Sequence, residues 1–162
     1  MKYKIRGILD FDECLYHSLV SDVGTSMAYL SLSKAAGDRP LHYSAVFLAG
    51  YQTVNPLTPE ELSVLHICQA ARFTMSLVTG LHYHSLQPEN AYFLLTQPGW
   101  PILEQLWKMD VVDLHEMWRD VAAECTLYRF DSLKRHLTNG TNSAQSPPAG
   151  LTFHGQIHYI ET

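Results

Sequence analysis

The sequence predicts a mainly α fold that opens with one short N-terminal β-strand. Three observations predict it. Apolar residues recur at helical spacing through most of residues 19–129, whereas strand-like alternation is confined to residues 2–9. The stretch "NPLTPEEL" carries a complete helix-start signal. The ending "LTNGTNSAQSPPAG" is too polar to join a packed core.

The elements follow in order. In residues 2–9, Tyr3, Ile5 and Leu9 share one side with Gly7 between them, while Lys2, Lys4 and Arg6 suit the wet side. Such a strand needs a partner, either the tail segment Ile157 to Ile160 or one outside this chain. Leu19 to Ala36, rich in Leu, Met, Ala and Tyr, reads as a helix stopped by Gly37. A shorter helix covers Tyr43 to Tyr51. Thr58 then serves as N-cap, Pro59 takes the first helical position and Glu61 falls at N3. This helix runs to about His82 and buries Leu62, Leu65, Ala70, Phe73, Leu77 and Leu81.

Pro88 begins a short helix through Leu95, and "QPGWP" marks a turn before a helix from Ile102 to Met109. A last helix spans Val111 to about Arg129, with Leu114, Met117, Trp118, Val121 and Cys125 on one face. Residues 1–130 therefore form the folded unit, and residues 131–162 are expected to be a flexible tail.

Composition narrows the function classes. Of 162 residues, 46% are hydrophobic and 17% charged, enough for one packed domain. The net charge is −5 and no basic block occurs, which argues against a nucleic-acid partner. No apolar run reaches the ~18–20 residues needed to span a membrane. The three cysteines are far apart, so neither a zinc module nor a disulfide framework is favoured. A soluble, reducing, cytoplasmic setting is expected.

The segment "GILDFDECLY" ends an apolar run in Asp10, Asp12 and Glu13. Magnesium takes a few hard oxygen ligands, so these acids suit such an ion; acids are common in turns, however, and by spacing alone a turn that caps the following helix is the more ordinary reading. His82 and His84, two apart on a helix, point away from each other and do not share a metal. His66 reads as a satisfied buried imidazole, and His115-Glu116 lacks the second histidine of an HExxH site. His154 and His158 fall in the tail. Trp100, Trp107 and Trp118 read as core anchors. No GxSxG elbow and no phosphate-cradling glycine loop occurs.

"GILDFDECLYHSLVSDVGTSMAYL" resembles the segment of aminoglycoside-phosphotransferase-like kinases in which Ile-Asp-Phe-Gly-Asp ends a strand hairpin and a helix follows. "FLAGYQTVNPLTPEE", "ARFTMSLV" and "PENAYFLLTQPGWPILEQL" resemble, in order and spacing, the C-terminal helical part of the hydroxylysine kinase family. The resemblance covers Lys2 to Arg129. It implies the helical C-lobe subdomain of a protein-kinase-like fold. It also implies transfer of the terminal phosphate of GTP to 5-hydroxy-L-lysine, with magnesium, in the cytoplasm. By position, Asp10 matches the metal-binding Asp. Glu13 falls where the family has its second acid, and Asp22 matches an acid on the next helix. The resemblance places Glu13 and Asp22 toward the cationic substrate, with orientation of the turn as the other role for Asp22.

Two departures follow. Asp12 stands where the family has glycine, adding charge and removing backbone freedom. No H-x-D-x-x-x-x-N loop occurs, so none of these residues is assigned as catalytic. The expectation is a chain without nucleotide lobe or catalytic loop, inactive by itself. The alternatives are a non-catalytic helical binding module, associating through the surface the absent lobe would cover, and an incomplete gene model of a full kinase.

Overall fold

In the computed structural model the described residues are Gly7 and residues 16–138, with side-chain surroundings to residue 128. The expected strand over residues 2–9 and its proposed partner at Ile157 to Ile160 lie outside them. So does everything after Thr138. Among the described residues there is no strand, and the architecture is a set of five α-helices joined by tight turns.

Helix α1, Leu19–Ser31, packs along α3, Pro59–Leu86, and also touches α2, Pro40–Gln52. A short helix α4, Trp100–Lys108, lies on α3, and α5, Val111–Thr138, lies on α2. The core where they meet contains Val23, Met27, Leu65, Phe73, Leu77, Leu114 and Val121, all buried.

The crossing of α1 and α3 depends on Gly24. A β-carbon there would stand 2.8 Å from Cys68 Cβ and 3.0 Å from the α3 backbone. Any side chain would push the helices apart. Gln69 and Ser31, both buried, complete this contact: Ser31 Oγ donates to the Met27 carbonyl at 2.9 Å, and Gln69 Nε2 lies 3.4 Å from Ser31 Oγ.

Several boundaries differ from the sequence reading. The helix expected to reach Ala36 stops at Ser31, because Leu32 and Ser33 N–H groups bond back only three residues, to Tyr29 and Leu30. Ser33 Oγ then accepts from Ala35 N–H at 3.3 Å and starts a separate 3-10 turn, Lys34–Ala36. Gly37, at φ 57°, reverses the chain, a conformation that favours glycine. Helix α2 begins at Pro40, ahead of Tyr43, since proline fits a first turn that needs no N–H.

The capping box of α3 is present as expected. Glu61 Oε2 accepts from Thr58 N–H at 2.8 Å, and Thr58 Oγ1 accepts from Glu61 N–H at 3.2 Å. Leu65, Ala70, Phe73 and Leu77 are buried and Leu62 partly so, but Leu81 is exposed because no described element packs over the outer face there.

The helix expected from Pro88 is a 3-10 turn, Ala91–Leu94, started by Asn90 Oδ1 accepting from Tyr92 N–H at 3.1 Å. It presses so close to α3 that a β-carbon on Gly80 would stand 2.4 Å from the Phe93 carbonyl oxygen. At the start of α5, Asp110 Oδ1 accepts from Val112 N–H at 2.7 Å. That helix continues to Thr138, past the end expected near Arg129. No helix among the described residues is long and apolar enough to cross a membrane.

Candidate functional site

Of the acids singled out in the sequence, Asp10, Asp12 and Glu13 lie outside the described residues. Asp22 is described. It sits in the first turn of α1, exposed, where a carboxylate complements the partial positive charge of the helix N-terminus. The buried side of the same turn, Val20 and Val23, anchors α1 to the core. The placement of α1 against α3 is thus set by the close contact at Gly24 and Cys68.

The histidines are arranged differently from the sequence reading. His66 is half-buried, and its Nδ1 is buried without a hydrogen-bond partner, so the imidazole is not fully satisfied. Burial lowers its pKa below the ordinary imidazole value, and nearby His115 lowers it further. His115 stacks on Trp118 with ring centroids 5.0 Å apart, and its own Nε2 is buried and unpartnered. Among the described residues no group of three or more metal-ligating side chains forms. Burial and the Glu124 carboxylate push the Cys125 thiol up, opposite to the shift an activated nucleophile needs.

Trp118 is core, as expected, but Trp100 and Trp107 are 41% and 69% exposed. Helix α4 is short and amphipathic; it spends Leu106 on the core and turns the two indoles, seven residues apart, outward. With Ile67, Ala71 and Met75 of α3 they line an open apolar groove of about 940 Å³.

A second cavity, about 610 Å³, lies where α1 and α3 meet the 91–94 turn. Its walls include Tyr29, Arg72, Ser76, Tyr83, Tyr92 and Phe93. Sequence reading missed it. The only local signal was "ARF" inside an apolar helix, where a cation has no obvious place.

Over 122 residues, 74% of this chain, the protein is 33% identical to hydroxylysine kinase of Bos taurus. It is 32% identical over 123 residues to hydroxylysine kinase of Xenopus laevis, and 29% identical over 119 residues to that of Danio rerio. The matched stretch is 32% of the bovine and Xenopus proteins and 33% of the Danio protein, so the chain spans about a third of the length of the curated relatives it matches. No family model matches, and no solved structure matches. The resemblance read in the sequence segments is thereby shown at the level of whole-stretch identity.

Proposed function

We propose, from the similarity to hydroxylysine kinases over 74% of the chain, that these helices are the C-lobe subdomain of a kinase of that type. In the intact protein the reaction is transfer of the terminal phosphate of GTP to the hydroxyl of 5-hydroxy-L-lysine, in the cytoplasm. Asp10 is the metal-holding carboxylate, and Glu13 and Asp22 face the cationic substrate. One or two carboxylates are the donor set magnesium takes when phosphate oxygens and water complete its shell. When bound, the ion neutralises charge on the transferring phosphoryl group. The chain's own helices contribute positioning: the α1–α3 contact fixes the helix that carries Asp22.

Phosphoryl transfer also needs a residue to orient the hydroxyl and a cradle for the phosphates. No H-x-D-x-x-x-x-N sequence occurs in these 162 residues, so they do not turn over substrate by themselves. The single observation that carries the reading is the shared identity with hydroxylysine kinases over about three quarters of the chain. Incubation of the purified chain with GTP, magnesium and 5-hydroxy-L-lysine is expected to release no GDP above a blank. Turnover abolished by Asp10→Asn would overturn the inactivity and leave the kinase assignment standing.

The exposed groove favours a second reading, a non-catalytic module that pairs with a second copy of itself. On the outer face of α3, Val64, Ile67, Ala71, Thr74, Val78 and Leu81 repeat at alternating spacings of three and four, the seam of a helix pair. Light scattering decides it: a monomer at high concentration rules this reading out.

A further inference from the structure

We propose that the cavity between α1, α3 and the 91–94 turn binds a small organic anion, a carboxylate or phosphate monoester on an aromatic body, through the guanidinium of Arg72. This inference does not depend on the kinase reading.

Arg72 crosses from the middle of α3 to α1. One terminal nitrogen donates to Tyr29 Oη at 2.6 Å, and the guanidinium carbon stands 5.0 Å from the centroid of the Tyr29 ring. Tyr29 Oη is in turn 3.3 Å from Ser76 Oγ. The Arg72 Nε is buried with no hydrogen-bond partner, and the fork is held at one tip by Tyr29. Arginine side chains are otherwise long and mobile, and this pre-organisation removes part of the entropy a ligand would have to overcome.

Among the described residues the charge has no counter-ion. The ion pairs among the described residues join His42 to Glu124, Lys108 to Glu104, and Arg119 to Glu116; no carboxylate there pairs with Arg72. A half-buried guanidinium has lost hydration without gaining an anion, which leaves its remaining N–H groups available for charge-assisted hydrogen bonds. Ser76, Thr79 and Thr96 add hydroxyl groups along the same wall.

Cavity size and lining identify the rest of the ligand. At about 610 Å³ the space falls within the range of small-molecule sites and far exceeds a bare ion. Arg72 and Tyr83 lie on one face of α3, eleven residues and so roughly 16 Å apart. At the Tyr83 end the surface is aromatic: Tyr83 and Phe93 stack with centroids 5.5 Å apart, and Tyr92 meets Phe93 edge-on. A ligand with an acid at one end and a flat apolar body at the other matches both ends. The absence of a side chain at Gly80 is what lets the 91–94 turn come close enough to build that wall.

Calorimetric titration of the full chain tests this, with phenylacetate, phenyl phosphate, neutral 2-phenylethanol and inorganic phosphate as probes. Whichever aromatic anion binds more tightly names the acid, and it is expected to exceed 2-phenylethanol by at least about ten-fold, the scale of one charge-assisted contact. Arg72→Gln should erase that preference. Because Arg72 also braces Tyr29, Tyr92→Ala on the exposed turn serves as the second variant. It should weaken the aromatic anions several-fold and leave inorganic phosphate unchanged. Equal binding of anion and alcohol would overturn the proposal. So would an Arg72→Gln protein of native helicity that keeps the preference, or inorganic phosphate binding as well as phenyl phosphate.

Discussion

The two faces of α3 share one helix and one apolar character, yet they meet different fates. Inward, Leu65, Gln69, Phe73 and Leu77 are 0% or 1% exposed against α1 and the core. Outward, Val64, Ile67, Met75 and Val78 keep 44% to 53% of their surface in contact with solvent. The difference shows that apolar residues in this helix mark two surfaces, of which only one is used within the described fold. A helix that is apolar all round is normally buried all round.

The comparison breaks most decisively at Phe73. Phe73→Ala should cost about 3–5 kcal/mol in urea unfolding, because the lost ring leaves a cavity that rigid neighbours do not fill. Met75→Ala, two residues on and half exposed, should change stability by no more than ~0.5 kcal/mol. Similar losses at both positions would mean that the outer face is also covered in the folded chain.

A smaller effect is expected from glycines on the two sides. Gly24→Ala places a methyl 2.8 Å from Cys68 Cβ, so it should destabilise by about 1–3 kcal/mol despite the better helix propensity of alanine. Gly50→Ala, in α2 with nothing within 4 Å, should instead stabilise by about 0.5–1 kcal/mol. Thermal melts of the two variants should move in opposite directions.

The smallest effect concerns His66, at the edge between the faces. Its pKa is lowered by burial and by His115, so the unfolded chain takes up the proton at a higher pH than the folded one. Stability contributed by neutral His66 is full above the ordinary imidazole pKa of about 6.5 and is lost as pH falls below it. The melting temperature of His66→Gln should therefore drop less than that of the unmodified protein between neutral pH and pH ~5.5. Parallel drops would place the acid sensitivity elsewhere.

Local chemistry was readable directly. The Thr58–Glu61 capping box and the proline at position 59 act within a few residues, and each stands where the pattern placed it; Gly37 reverses the chain, but after a separate 3-10 turn and not as the end of α1. The order of helices followed for the same reason. The end of α1 was misplaced because Ser33 can serve either as helix interior or as the cap of a new turn, and only the bonds formed by Leu32 and Ser33 decide which. Trp100 and Trp107 looked like core because a large apolar residue is usually buried, and a period-3.6 pattern does not reveal how many neighbours a short helix will have.

The residues alone carried the helices, their caps, the acidic segment around Asp10, and the likeness to hydroxylysine kinases, since each resides in contiguous sequence. The exposure of Leu81, the Gly24 crossing and the bracing of Arg72 by Tyr29, 43 positions earlier, required the assembled helices. Non-local contacts depend on where separate elements come to rest against one another. No spacing within one segment encodes that.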